Sequence, residues 1–193
     1  VKLRVLIGCE ESGVGRDAFL ALGHDAWSND LIPARNGGPH LQMDVFEAIL
    51  RHGPWDIIIL HPDCTEMSLS GNRRYGYGTP GENARLLRLA WTKLLWGTAK
   101  QNCRIGCAIE NPTSVLWSWI GKPQYIQPWQ FGHPETKKTG ILTHRLPPLK
   151  PTNIVEGREQ RIWKMAPSPT RKRDRSESYP GIMKAMAEQW GNT

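Results

Sequence analysis

Trp55-Asp56-Ile57-Ile58-Ile59-Leu60 runs directly into His61-Pro62-Asp63-Cys64-Thr65-Glu66-Met67-Ser68-Leu69-Ser70-Gly71. The first six residues read as a buried strand, because a short apolar run bounded by proline and polar residues has that composition. Cys64 then falls on the loop at the carboxyl end of the strand, where an open α/β sheet holds its chemistry. A second apolar stretch, Ile105-Gly106-Cys107-Ala108-Ile109, leads into Glu110-Asn111-Pro112. A nucleophile at one strand end and a carboxylate at another mark the chain as an enzyme.

Working outward, strand and helix signals alternate. Strands are expected at Val5–Ile7, Asp25–Asp30, Leu41–Asp44, Asp56–Leu60 and Ile105–Ile109. Helices are expected around Arg16 to Leu22 (ended by Gly23), from Val45 to Arg51 and from Leu86 to Ala99. Such alternation predicts an α/β fold, a mostly parallel sheet with crossover helices. Beyond Pro112 the pattern degrades, with a strand signal only at Gly140-Ile141-Leu142. Residues 147–180 are proline-rich and charged, and Pro180 to Trp190 forms a last amphipathic helix through Ile182, Met183, Met186 and Trp190. Residues 1–193 are expected to form one domain.

The net charge of +7 favours a polyanionic partner. Arg171-Lys172-Arg173-Asp174-Arg175 reads either as a phosphate-contacting arm or as a solvated linker, and Lys137-Lys138 lies in another polar loop. No stretch is long and apolar enough for a membrane span, and the chain enters a strand pattern at once, so neither membrane nor signal peptide is expected. The four cysteines lack paired metal spacing, so no metal is expected and reduced thiols in a cytoplasmic compartment fit better. The nine tryptophans are expected to serve mainly in packing.

Gly8-Cys9-Glu10-Glu11-Ser12-Gly13-Val14-Gly15 lies between the first strand and first helix. Gly8 and Gly13 let backbone approach a cofactor, and the helix start offers unpaired amides. Glu11 and its acidic neighbour disfavour a pyrophosphate and suit a cationic or zwitterionic ligand. Asp30 is placed to hold a ribose diol, and Asp44 to accept from an adenine amino group; strand-end solvation or helix capping would explain either. Pro62 fixes the backbone before Cys64, Ser68 and Gly71 tighten the loop after it, and His61 is expected to shape the turn. Glu110 is either a functional carboxylate or a cap.

These pieces together resemble the DNA cytosine-5 methyltransferase family. Its P-P-C-Q-x-F-S-x-x-G loop is similar to Pro62–Gly71, its E-N-V element to Glu110-Asn111-Pro112, and its glycine loop with A-F-x-x-x-G-H to Gly13-Val14-Gly15 and Ala18–His24. Asp30 resembles its acidic residue after strand two, Met43-Asp44-Val45 its G-D-I, Phe131–Thr139 its Y-G-x-P-Q-x-R-x-R and Gly191-Asn192 its closing G-N. The resemblance implies a Rossmann-like S-adenosylmethionine-dependent fold with helices on both faces. It implies Cys64 and Glu110 as catalytic residues, with Gly8, Glu11, Gly13, Asp30, Asp44 and Pro62 around S-adenosylmethionine. Ser68, Asn111, Lys137, Lys138, Arg171 and Arg173 would face the substrate, cytosine in single-stranded or base-flipped DNA.

Asp63 replaces the second proline of the family loop, Thr65 its glutamine, Pro112 its valine and Glu11 its first glycine, and lysines stand for its spaced arginines. Family members usually insert a target-recognition domain before the last helix; residues 140–179 are expected to form a short irregular basic segment in its place. This implies short-context specificity in a compact monomer of phage or prophage type, serving restriction evasion. The alternatives are a carbon-5 transferase acting on pyrimidine nucleotides or moving a different group, and a catalytically inactive DNA-binding relative.

Overall fold

The computed structural model describes residues 1–192, with the side chain of Lys172 outside the described atoms. The strands are β1 (Arg4–Gly8), β2 (Asp25–Asp30), β3 (His40–Gln42), β4 (Trp55–Leu60), β5 (Cys103–Pro112), β6 (Gln124–Ile126) and β7 (Thr139–His144). The helices are α1 (Val14–Leu20), α2 (Val45–Arg51), α3 (Asn72–Tyr75), α4 (Glu82–Asn102), α5 (Trp117–Ile120), α6 (Arg161–Lys164), α7 (Arg171–Ser176) and α8 (Pro180–Trp190).

The seven strands form one sheet in the order β3-β2-β1-β4-β5-β7-β6. All pairings from β3 through β5 are parallel, and β7 is antiparallel to both its neighbours. Among the described strands, β7 alone runs against the rest. Alternate residues of the central strands explain why both faces are covered. Val5, Ile7, Ile57, Ile59 and Ala108 pack with α1 and α8, whereas Leu6, Ile58, Leu60, Cys107 and Ile109 pack with α2 and α4. Each fully buried Ile or Leu contributes about 1.5–3 kcal/mol, so this two-sided burial dominates the stability of the sheet.

Local chemistry sets the element boundaries. The Asp44 side chain caps α2 by accepting from the Phe46 amide at 2.8 Å, and Arg51 pairs with Glu47 in its last turn. Pro180 opens α8, where a missing N–H costs nothing. Three sequence expectations are corrected. β3 stops at Gln42, so Asp44 belongs to the start of α2 rather than to a strand end. The first helix lies earlier than expected, Val14–Leu20, with a turn at 21–23 in which Gly23 has φ 84°. The segment 140–179 is only partly irregular: its first residues belong to β7, and α6 and α7 lie within it.

The chain crosses from β1 to β2 on one side and returns to β4 on the other, so the β1/β4 boundary is where the strand order reverses. Ligands of open α/β sheets bind outside the carboxyl ends of strands at such a switch point. The His61 amide donates to the Gly8 carbonyl at 2.9 Å, joining the loops after β4 and β1 there. No described helix is long and apolar enough to cross a membrane.

Candidate active site

The loop after β4 is held in one shape by short hydrogen bonds. The amides of Met67 and Ser68 donate to the Cys64 carbonyl at 3.1 and 2.9 Å, closing a turn around the thiol. Asp63 Oδ1 accepts from the amide and hydroxyl of Thr65 at 2.9 and 2.6 Å. From α4, the buried Arg85 guanidinium donates to the carbonyls of Glu66 and Ser68 and to Asn72 Oδ1, at 2.7, 3.2 and 2.8 Å. Ser68 is itself buried, with its hydroxyl 3.0 Å from that of Ser70. Asn111, buried on β5, donates to the Pro62 carbonyl at 3.3 Å, and the Ser114 hydroxyl donates to Met67 O at 2.9 Å. The Cys64 loop is thus stitched to the end of β5.

Glu110 occupies that end. His61 Nδ1 lies 3.4 Å from Glu110 Oε2, with side-chain exposures of 9% and 21%. Burial raises the Glu110 carboxyl, but His61 and the charge of Lys137 outweigh it and leave the carboxyl below the usual range. Burial and the charges of Glu110 and Asp63 push the Cys64 thiol up to about 11, with Lys137 opposing. The Glu110 charge therefore reaches Cys64, and the Lys137 charge reaches both. The Lys137 ammonium itself donates to the Glu177 carbonyl at 3.4 Å and lies over the Tyr179 ring at 5.6 Å.

The β1 side is acidic. Cys9 has φ 58°, a left-handed conformation that favours glycine, and its thiol is pushed up to about 12 by burial and by Asp30, Asp44 and Asp63, against Arg88. Burial raises the Asp30 carboxyl. Glu10 is buried, and its Oε2 has no hydrogen-bond partner while Oε1 accepts from Ser12. Glu11 is held by Arg35, which also reaches Glu177 at 3.3 Å. Gly13 has φ 77°, and a side chain at Gly8 would meet Leu60 at 2.9 Å, so both glycines are required by the fold itself.

Hydrogen bonds bring Cys64, Pro62 and Ser68 to Asn111 and Ser114, next to Glu110 on β5. Gly8, Asp30 and Asp44 lie at the ends of β1 and β2 and the start of α2, whereas the side chain of Lys137 is held by Glu177 and Tyr179. Lys138 is exposed and stacks over Tyr125 at 4.4 Å. Arg171 and Arg173 are not among the charges acting on Cys64 or Glu110; Arg171 donates to Met165 O at 2.9 Å, and Arg173 pairs with Asp174 at 3.4 Å. Lys172, in the same basic run, has its side chain outside the described atoms. Sequence reasoning missed the His61–Glu110 pair, although His61 stands at a strand end. It also missed Arg85 and Arg88, which lie on α4 with no local signal. No group of three or more His, Cys, Asp or Glu among the described residues is arranged to hold a metal ion.

No protein-family model matches the chain, and no curated protein does. Among solved structures, the chain is similar to the Entamoeba histolytica methyltransferase EhMeth, with a TM-score of 0.52 and 15% identity over 83% of this chain and 57% of that one. It also matches the S. pombe Dnmt2 methyltransferase (TM-score 0.45, 16% identity, 85% of this chain and 54% of that one). A mutant of Spodoptera frugiperda DNMT2 matches with TM-score 0.45 and 14% identity over 82% and 55%. The chain spans little more than half the length of these proteins. Its sheet order, with helices on both faces, is the Rossmann-like fold of S-adenosylmethionine-dependent methyltransferases.

Proposed function

We propose that this chain transfers a methyl group from S-adenosylmethionine to carbon 5 of cytosine in DNA, through a covalent adduct on Cys64. The observation that carries the reading is the shared site of Cys64 and Glu110, on loops tied together by Asn111 and Ser114. The acidic surroundings of Cys9 and the orphaned Glu10 Oε2 suit a cationic ligand, so the residues present fit S-adenosylmethionine. Asp30, Asp44 and the Gly8–Gly13 loop would hold it, and Pro62 would border it. When bound, it supplies an electrophilic methyl group.

Cys64 sulfur adds to carbon 6 of the base, and the ring π electrons move toward carbon 5 and nitrogen 3. The proton leaving the Cys64 thiol passes to nitrogen 3 as the sulfur–carbon bond forms, so the adduct carries no net charge. Glu110, held ionised by His61, accepts a hydrogen bond from the N–H created there. Lys137 offsets the charge that develops around sulfur and carboxylate. From the methylated carbon 5 the proton is lost to water, and the nitrogen 3 proton returns to sulfur as the carbon 6–sulfur bond breaks and Cys64 departs, which restores the ring. Because carbon 6 is inaccessible in a stacked base, the base must be unstacked or single-stranded. The short connection between β7 and α8, residues 145–179, favours a short recognised context.

The test is incubation with methyl-labelled S-adenosylmethionine and mixed DNA substrates. Native chain should label DNA, while Cys64→Ser and Glu110→Ala should lose transfer and keep cofactor binding. Transfer persisting in Cys64→Ser removes the covalent step. Transfer to free deoxycytidine monophosphate in preference to DNA would favour the nucleotide reading instead.

A further inference from the structure

Residues 67–81, which follow the nucleophile loop, contain no acidic side chain and carry Arg73, Arg74, Tyr75 and Tyr77. Tyr77 is 97% exposed, and Arg73 and Arg74 are exposed and form no ion pair among the described residues. An aromatic ring held almost entirely in water has no folding rationale, since burial is what such a ring contributes to stability.

The segment is nevertheless well fixed. The Thr79 hydroxyl donates to the carbonyls of Arg74 and Gly76 at 2.9 and 2.7 Å, and the Gly78 amide donates to Glu82 Oε2 at 2.9 Å. Arg85 bonds Asn72, at the start of α3, with the same guanidinium that clamps the carbonyls of Glu66 and Ser68. The nucleophile loop and the Tyr77 segment are therefore one mechanical unit. Arg74 lies over Tyr75 at 5.4 Å, leaving Tyr77 as the ring facing solvent.

We propose that this segment carries the polynucleotide strand next to the target base, with Tyr77 stacking on a neighbouring base and Arg73 and Arg74 contacting phosphates. The proposal rests on the reading of Cys64 as the nucleophile toward a nucleic-acid base. Aromatic stacking combined with cationic contacts is how proteins hold single strands without reading sequence. Charge complementarity selects this occupant over a protein. Protein interfaces also use tyrosine and arginine, but they set them in a well-packed patch of about 800 Å² per partner. Tyr77 instead stands alone between Gly76 and Gly78, beside two arginines that form no ion pair among the described residues.

The experiment measures binding of the full chain to a fluorescent single-stranded deoxycytidine oligonucleotide of about twelve nucleotides across a salt series. Tyr77→Ala should weaken binding about five- to hundredfold, while Tyr77→Phe should retain it. The Arg73→Gln/Arg74→Gln double variant should reduce the logarithmic salt slope by about 1.4, two single-strand phosphate contacts. Unchanged affinity in Tyr77→Ala together with an unchanged slope in the double variant would overturn the proposal, as would absence of oligonucleotide binding by the native chain. Trapping of Cys64 by a 5-fluorocytosine oligonucleotide is scored separately. If trapping fails while Tyr77→Ala and the arginine variant still weaken binding, the nucleophile reading falls and the surface stands. If trapping succeeds in every variant at unchanged affinity, the surface falls and the nucleophile stands.

Discussion

His61 Nδ1 lies 3.4 Å from Glu110 Oε2, joining the first residue after β4 to the carboxyl-terminal part of β5 through a side-chain pair. The Glu110 carboxyl stays below its ordinary range because His61 and Lys137 overcome burial. Removing His61 leaves burial opposed by Lys137 alone, so the carboxyl must rise. If the ionised form is required, the acid limb of the kcat/KM profile for DNA methylation should move to higher pH in His61→Ala. In His61→Asn, which keeps a donor, it should move less. A profile unchanged in both variants would show that Glu110 does not depend on the imidazole.

The Cys64 thiol is raised to about 11 by burial, Glu110 and Asp63. Below that value it is protonated, so its alkylation by iodoacetamide should accelerate about tenfold per pH unit up to the thiol's pKa. Asp63→Asn keeps the acceptor for Thr65 and removes a negative charge, so the midpoint should fall. The rate must be followed on the peptide containing Cys64. Cys103, lowered by Cys107 and by Arg145 at 3.3 Å, would otherwise add its own alkylation to the signal.

Arg85 satisfies two loop carbonyls and Asn72 with one buried guanidinium. Truncation strands those acceptors, each worth about 1–3 kcal/mol when buried. Arg85→Ala is expected to lower unfolding free energy by about 3 kcal/mol in urea titration, and to speed amide exchange from Cys64 to Asn72. Arg85→Lys should recover only part, because one ammonium cannot reproduce the fork.

Much of the parallel sheet was legible because two-sided burial writes itself as continuous apolar runs, as in Ile57–Leu60 and Ile105–Ile109. Val45–Arg51 and Pro180–Trp190 were legible as helices through their spacing and terminal residues. β6 was not, since Gln124-Tyr125-Ile126 is three residues long with one buried side chain. β7 was legible only at Gly140–Leu142, because its remaining residues are threonines and a histidine whose place depends on pairing with both β5 and β6. Cys64 and Glu110 stood out because each follows an apolar run, although β5 continues past Glu110 to Pro112 and so holds that carboxylate within the strand. The His61–Glu110 pair, the reach of Lys137 to both, and the Arg85 clamp join residues distant in sequence, and only folding reveals them.

Gly106 on β5 approaches β7 so closely that a Cβ would lie 2.6 Å from the His144 carbonyl. Gly106→Ala should therefore destabilise the chain by about 1–3 kcal/mol in thermal or urea unfolding. An unaffected variant would mean that β7 pairs with β5 more loosely than this packing implies.

The central claim is that Cys64 attacks carbon 6 of a cytosine whose nitrogen 3 edge is held by Glu110. Its most direct measurement is incubation with 5-fluorocytosine DNA and S-adenosylmethionine, followed by denaturing electrophoresis and peptide mapping. A denaturation-resistant adduct should form on the Cys64 peptide of the native chain, and none should form with Cys64→Ser. No adduct with the native chain, or one that survives Cys64→Ser, would contradict it.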